Sequence, residues 1–395
     1  MRIVQLANMY HARSGGLRTV VDTLGRGYVA AGHDRVLIVP GVKRSVAETE
    51  HGTVITLPGT PVTGGYRMIL RAEKVLDILE ELNPDSIEVS DKATLAAAGP
   101  WARERGVRSI LFSHERLGEM VANRTRSKSE SLQKAAMRWT RKIVTWFDEV
   151  VATSEFGERE LALAGATNIR RVPLGVDLET FRPGTGPGSV LMRATATAQP
   201  GVVRLVYAGR LSHEKNPQAA VETVRVLRSW GVDARLDVYG SGSHYATLCR
   251  RAKGLPVTFH GHVAQRGNLA KHLAHADLVL APAACETFGL AALEALACGV
   301  AVVAAAGSGA AELVSQDSGG PVSGRVVQGG ARPGAGIAVP PTGPGMAGGV
   351  LELLTFPARE RAAAARERAS RFPWSASVGR MLAIHEGAER TVDAA

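Results

Sequence analysis

Long apolar runs, paired cysteines, metal-binding carboxylate pairs and aromatic side chains are all scarce in this chain, and each shortage removes a class of function. No stretch approaches the roughly 18 to 20 apolar residues that span a bilayer. The opening Met1-Arg2-Ile3-Val4-Gln5-Leu6 turns polar at Asn8 and His11, too soon for a signal-peptide core. The three cysteines, Cys249, Cys285 and Cys298, are odd in number and lack metal-ligand spacing, which reads as reduced thiols and a cytoplasmic protein. Aromatics make up only 5%, with no zinc-finger spacing and no aromatic RNA-binding signature, so nucleic acid is not the expected partner. There is no Asp-x-Asp pair of the kind that holds Mg²⁺, so no metal and no cofactor are expected.

What is present is a chain of 395 residues, too long for one hydrophobic core, so two domains are expected. Apolar residues at 45% and charged residues at 21% are ordinary for a folded protein. The net charge of +10 attracts anions, whether nucleic acid, a membrane surface or a phosphorylated substrate, without choosing among them.

Strand-length apolar runs alternate with amphipathic segments: Arg2 to Leu6, Leu17 to Ala31, Arg35 to Val39, then Ser86 to Val89, Ser109 to Phe112 and Val150 to Ala152. Helical patterns lie between them at Gly65 to Leu82 and Ser129 to Phe147. A second series follows at Val202 to Tyr207, Ala234 to Tyr239, Val257 to His260, Leu278 to Ala281 and Val300 to Ala304. This rhythm predicts an α/β protein of two Rossmann-like parallel-sheet domains facing a cleft. The Gly/Pro run Pro183-Gly184-Thr185-Gly186-Pro187-Gly188 marks the boundary. We expect a first domain at 1–183, a linker at 184–200, a second domain at 201–372, and a terminal helix at 373–395 packing back toward the first domain. The Gly/Pro-rich segment Gly319 to Gly345 reads as a surface excursion.

Ligands of open parallel sheets sit beyond the carboxyl ends of the strands, and the candidate motifs fall there. After Leu278 to Ala281 comes Glu286-Thr287-Phe288-Gly289-Leu290, then Glu294. The amides of Phe288, Gly289 and Leu290 at a helix start form an anion site, and Gly289 permits close approach of a diphosphate. Glu286 in the loop and Glu294 nearly two turns inside the helix would grip different ends of an elongated ligand. After Val203 to Tyr207, Arg210 and Lys215 flank a turn where their charges can neutralise a diphosphate in place of a metal. Tyr239-Gly240-Ser241-Gly242 is a glycine turn suited to a nucleotide, although Tyr245 breaks the dinucleotide fingerprint. In the first half, Gly15 and Gly16 sit between a strand and a helix, and His114 follows another strand. Taken singly, each motif also reads as an ordinary βα turn, a solvated basic loop or a surface histidine; their shared position is what distinguishes them.

These residues resemble the retaining GT-B glycosyltransferases of family four over nearly the whole chain. Further landmarks are Pro173-Leu174-Gly175-Val176-Asp177 with Phe181 and Pro183, and Phe259-His260-Gly261-His262-Val263. The resemblance implies that Glu286 holds hydroxyls of the transferred sugar, Glu294 the ribose, Arg210 and Lys215 the diphosphate, and Gly16 with Phe288 to Leu290 its backbone cradle. His114 matches the histidine that approaches the sugar. Thr287 replaces the glycine usual after the first glutamate. The base is expected near Gly240 to Ser243, His262 and Val263.

A narrower set, including Ser14-Gly15-Gly16-Leu17-Arg18-Thr19, Gly64-Gly65-Tyr66-Arg67 and Ser113-His114-Glu115-Arg116-Leu117, resembles actinobacterial phosphatidylinositol mannosyltransferases. That resemblance implies GDP-mannose as donor and a mannosylated phosphatidylinositol as glycolipid acceptor. The basic stretch Asn123 to Lys142 suits peripheral contact with an anionic membrane, on the inner face of the plasma membrane, and equally a solvated helix face. The alternatives are a family member that uses a UDP- or GDP-sugar on a soluble small-molecule acceptor, and a catalytically silent sugar-nucleotide binder.

Overall fold

The structure is a computed structural model. It describes residues 1–11, 15–62, 65–114, 130–184, 201–315 and 334–388. The chain divides into two compact units, Met1–Leu174 with Trp374–Ala395, and Gly175–Pro373.

Among the described residues, the first unit contains an eight-stranded sheet. Its strands are β1 (Arg2–Leu6), β2 (Asp34–Gly41), β3 (Ser45–Thr49), β4 (Gly52–Pro58), β7 (Ser86–Val89), β8 (Arg108–Ser113), β9 (Glu149–Ala152) and β10 (Ile169–Arg171), in the order β10-β9-β8-β7-β1-β2-β4-β3. All pairings are parallel except β3 with β4. The central strands are buried on both faces, as parallel strands require, which is why they read as unbroken apolar runs. Helix α1 (Gly16–Ala30) buries Val20, Val21, Leu24 and Tyr28 along one stripe. The other helices of this unit are α2 (Glu73–Leu82), α3 (Ala98–Arg105), α4 (Glu130–Val144) and α5 (Glu155–Leu163).

Two sequence expectations change in this unit. The helix anticipated from Gly65 starts only at Glu73, because Gly65 takes φ +79° and Arg67–Met68 (β6) pairs antiparallel with Thr60–Pro61 (β5). The hairpin of β3 and β4 was not anticipated, since its first strand is wholly exposed and carries no apolar alternation.

Beneath the sheet of this unit lies a buried polar cluster. The Glu88 carboxylate accepts from the Tyr28 hydroxyl at 2.7 Å and from Gln5 Nε2 at 3.1 Å, with His385 Nε2 at 3.4 Å. His385 Nδ1 lies 2.8 Å from Ser86 Oγ, and Arg35 Nε donates to Gln5 Oε1 at 2.8 Å. Burial pushes the Glu88 carboxyl up, but His385, Tyr28 and Gln5 outweigh it and hold the group below the usual range. His385 ends the terminal helix, Trp374–His385, which packs on α1 with Val378 against Gly27.

The second unit holds six parallel strands among its described residues: β11 (Val203–Ala208), β12 (Ala234–Tyr239), β13 (Val257–Gly261), β14 (Leu278–Ala281), β15 (Ala301–Ala305) and β16 (Gly336–Val339). Their order, β13-β12-β11-β14-β15-β16, reverses direction between β11 and β14 and opens a crevice at the carboxyl ends of those strands. The helices are α6 (Pro217–Ser229), α7 (Tyr245–Arg251), α8 (Arg266–Ala274), α9 (Leu290–Ala297), α10 (Gly309–Val314), α11 (Gly343–Leu354) and α12 (Ala358–Ser370), so the terminal helix is α13.

The unit boundary falls at Gly175 rather than Pro183. Val176 bridges to Pro373, Phe181 is fully buried, and Arg366 donates to the Leu178 and Phe181 carbonyls at 3.0 and 2.7 Å, which ties 175–183 to the second unit. The expected linker lies outside the described residues except for Gly184. The expected surface excursion at 319–345 contains the sheet's last strand, β16, and the start of α11; its earlier part lies outside the described residues.

Candidate active site

The crevice between β11 and β14 gathers the charged residues that sequence reasoning selected. Beyond β11, Arg210 enters a turn that closes as a short 3₁₀ segment, His213–Lys215, ended by Asn216 in the left-handed region at φ +48°. Asn216 Nδ2 donates to the Pro282 and Pro341 carbonyls at 3.2 and 2.9 Å, which binds this loop to the end of β14. Cys285 Sγ donates to the Glu214 carbonyl at 3.1 Å, a second tie between the two loops. Lys215 Nζ thereby meets Glu286 Oε2 at 2.6 Å. Burial pulls the Lys215 ammonium down, but Glu286 outweighs it and the group titrates above its ordinary value. Arg210 lies 3.6 Å from Glu214, whose Oε1 also accepts from Ser212 Oγ at 2.5 Å. Burial raises the Glu214 carboxyl, and Ser212, Arg210 and Lys215 together bring it below the usual range. Tyr207 donates to the Arg210 carbonyl at 2.9 Å from beneath.

The next segment is built by two glycines. Gly289 caps α9 at φ +100°, where an added Cβ would stand 2.9 Å from that of Ala310. Gly309 lets the adjoining helix start approach so closely that its N–H donates to the Glu286 carbonyl at 2.7 Å. Thr287 and Leu290 are partly exposed, whereas the Phe288 side chain is buried edge-on to Phe372 with centroids 6.3 Å apart. Helix α9 begins at Leu290, so Glu294 lies about one turn inside it rather than nearly two. Its side chain is 6% exposed, and Arg266 Nη2 donates to Oε1 at 2.7 Å.

Gly240 and Gly242 have a reason to be glycine that sequence did not show. At Gly240, with φ +143°, a Cβ would stand 1.8 Å from the Gly209 carbonyl oxygen, and at Gly242 2.4 Å from that of Leu211. The two turns are laced by Gly209 N–H to Tyr239 O and Leu211 N–H to Ser241 O, both 2.9 Å, and Gly240 N–H reaches Gly261 O at 2.7 Å. These glycines let backbone pack on backbone, leaving Ser241 and His262 exposed and Val263 half-buried at the rim.

In the first unit, Gly15 caps α1 with no side-chain capping bond, and an added Cβ there meets nothing within 4 Å; Gly16 is the first helical residue. His114, just past β8, places Nε2 3.1 Å from Ser90 Oγ at the end of β7 and packs edge-on to Phe112. Burial drives its imidazole down to about 4, with Lys92 adding to this and Glu88 opposing it. It is neutral at physiological pH. Sequence reasoning missed Ser90 and Arg266, whose contacts to His114 and Glu294 depend on folding, Asn216, which ties the loop to the Pro282 and Pro341 carbonyls, and Glu214, whose i,i+4 spacing from Arg210 was a local signal. Among the described residues, no cluster of His, Cys, Asp and Glu could hold a metal ion.

Two parallel sheets with a charged crevice at the strand-order reversal define the class: a GT-B glycosyltransferase. Solved structures of that architecture match the chain throughout. Sucrose-phosphate synthase from Thermosynechococcus elongatus gives a TM-score of 0.74 at 22% identity, covering 98% of both chains. The Anabaena protein HepE in complex with UDP and glucose gives 0.70 at 16% identity, covering 98% of this chain and 99% of the other. Residues 14–180 match the model described as Glycosyltransferase Family 4, and residues 193–331 match Glycosyl transferases group 1. The chain belongs to glycosyltransferase family 4. It is similar to the GDP-mannose-dependent alpha-(1-6)-phosphatidylinositol dimannoside mannosyltransferase of Mycobacterium tuberculosis (strain ATCC 25177 / H37Ra), at 41% identity over 97% of this chain and 95% of the relative. It also resembles the Corynebacterium glutamicum GDP-mannose-dependent monoacylated alpha-(1-6)-phosphatidylinositol monomannoside mannosyltransferase, at 25% identity over 82% of this chain and 84% of that one.

Proposed function

We propose that this glycosyltransferase moves an α-mannosyl group from GDP-mannose to a phosphatidylinositol mannoside, with retention and without a metal. The observation that carries the reaction is the convergence of Arg210, Lys215 and Glu286 at the strand-order reversal, with Glu294 one turn inside α9. The 41% identical relative supports the choice of donor and acceptor. In this reading the bond from mannose C1 to the β-phosphate oxygen breaks. GDP departs with its new charge met by Arg210, Lys215 and the amides at the start of α9. The acceptor hydroxyl bonds to C1 from the same face, and its proton passes to a phosphate oxygen of the donor. Glu286 holds sugar hydroxyls, Glu294 the ribose, and Gly16 contributes a phosphate-facing amide. Neutral His114, oriented by Ser90, accepts or donates a hydrogen bond at the sugar. A thermal-shift screen of nucleotide sugars, followed by transfer assays onto phosphatidylinositol mannosides, tests this; preference for a UDP-sugar, or transfer only to soluble acceptors, refutes it.

The membrane part of the reading rests on α4, where Lys134, Arg138, Arg141 and Lys142 are exposed opposite buried Ala136, Thr140, Ile143 and Val144. Residues 123–129 lie outside the described residues. Trp139 is partly exposed, and its indole N–H donates to the Lys92 carbonyl at 2.7 Å. The four cations add attraction to anionic headgroups. No helix among the described residues is long and apolar enough to cross a membrane.

A further inference from the structure

Glu294 is a buried carboxylate with one oxygen engaged and the other open. Oε1 takes the guanidinium of Arg266 at 2.7 Å, and no described residue bonds to Oε2, although the side chain is only 6% exposed. A buried, unpartnered carboxylate oxygen is costly and marks a place where a ligand's donors complete the pairing. Arg266 sits where a cation is locally disfavoured, as the first residue of α8, next to the positive end of that helix. Its place is fixed from two other directions. The guanidinium lies over the Phe181 ring, 4.9 Å from the centroid, and its charge also acts on the Asp177 carboxylate. Phe181 is in turn fully buried, with its carbonyl held by Arg366.

We infer that Arg266 is a positioning residue for the donor's nucleoside: it occupies one oxygen of Glu294, fixes the carboxylate's orientation, and presents the other oxygen to a vicinal diol. The inference rests on the reading of Glu294 as the ribose-binding carboxylate. Burial pushes the Glu294 carboxyl above its ordinary value, and the charge and hydrogen bond of Arg266 oppose this without cancelling it. A protonated Glu294 would have an O–H to satisfy and would accept less strongly from a diol. Arg266 is remote from the diphosphate residues in sequence and bonds to neither Lys215 nor Glu286, so its effect is confined to the nucleoside end.

The test compares binding of GDP and its 2′,3′-dideoxy analogue by calorimetry in the wild type and in Arg266→Ala, Arg266→Lys and Glu294→Gln. The wild type prefers the diol by about tenfold or more, the worth of hydrogen bonds to a charged group. Arg266→Ala loses most of that preference, Arg266→Lys regains part of it, and inhibition by pyrophosphate stays unchanged in both. The acid limb of GDP affinity moves to higher pH in Arg266→Ala. The charged and titratable groups around the pair are Asp177, Cys298 and Arg366, and all of them remain. If Glu294→Gln abolishes the preference while Arg266→Ala keeps it, the role of Arg266 is overturned and the ribose reading stands. If Glu294→Gln keeps the preference, the ribose reading itself fails and takes this inference with it. If Arg266→Ala loses pyrophosphate inhibition as well, Arg266→Lys, which preserves charge and stem, decides: a diol preference regained there supports the assignment, and one still lost overturns it.

Discussion

Replacing Lys215 by alanine separates its action on the ligand from its hold on Glu286. At 2.6 Å, the bare attraction between the two charges at an effective dielectric of 20 is about 6 kcal/mol. Their side chains are 29 and 24% exposed, so solvent screening leaves a contribution to folding of about 1 to 2 kcal/mol, between exposed and buried pairs. The effect on chemistry is larger. A preorganised charge aimed at a leaving diphosphate is worth roughly 10² to 10³ in kcat. The assay is mannosyl transfer at saturating GDP-mannose, with urea unfolding as the control and Glu286→Gln completing a double-mutant cycle. If Lys215 acts on the diphosphate and Glu286 on the sugar, the kinetic losses combine in the double variant. If Lys215 only holds Glu286, the double variant is no worse than the poorer single one. A Lys215→Ala enzyme whose kcat stays within about threefold of wild type refutes the electrostatic assignment outright.

Other outcomes follow from the same geometry. Gly240→Ala forces a Cβ toward the Gly209 carbonyl at a φ that side chains avoid, so unfolding should be eased by about 2 to 5 kcal/mol in urea titrations; a change under 1 kcal/mol would mean the two turns separate freely. His385→Ala strips Glu88 and Ser86 of a buried partner and should cost about 2 to 4 kcal/mol while kcat is largely kept, as checked by denaturation alongside transfer assays. The His114 imidazole titrates near 4 in the folded protein and near the usual 6.5 unfolded. The unfolded chain therefore binds more protons between those values, and the stability tied to a neutral His114 is full above about 6.5 and lost as pH falls toward 4. His114→Gln should flatten that slope, and an unaltered slope contradicts the assignment. Charge reversal of Arg138, Arg141 and Lys142 should release the protein from vesicles rich in anionic lipid in flotation assays, and unchanged flotation would remove the membrane reading of α4.

The strand positions were legible because parallel strands buried on both faces must be apolar along their length, as in Leu278–Ala281. The loop motifs were legible because a strand followed by charge and glycine is visible locally. Arg266 was not. It lies 28 residues from Glu294, and only the packing of α8 beside α9 joins them. The same blindness applied to β3, an exposed strand whose pairing is set by its hairpin partner rather than by apolar alternation. It also hid β16, half-buried in a glycine-rich segment that reads as coil. The glycines at 240 and 242 were found for one reason and turned out to have another: their missing side chains make room for the preceding turn.

The placement of α13 bears on how the chain can fold. Its last residue, His385, meets Ser86 across 299 positions of sequence, and everything from Gly175 to Pro373 is made in between. A nascent chain emerging from the ribosome therefore exposes the Glu88 cluster long before the helix that finishes it exists. Closing such a distant pair is slow by topology and offers a prolonged window for misassembly. Early stop codons upstream of Trp374 should be expected to yield a first unit that collapses yet cannot seal, even when the second unit is intact.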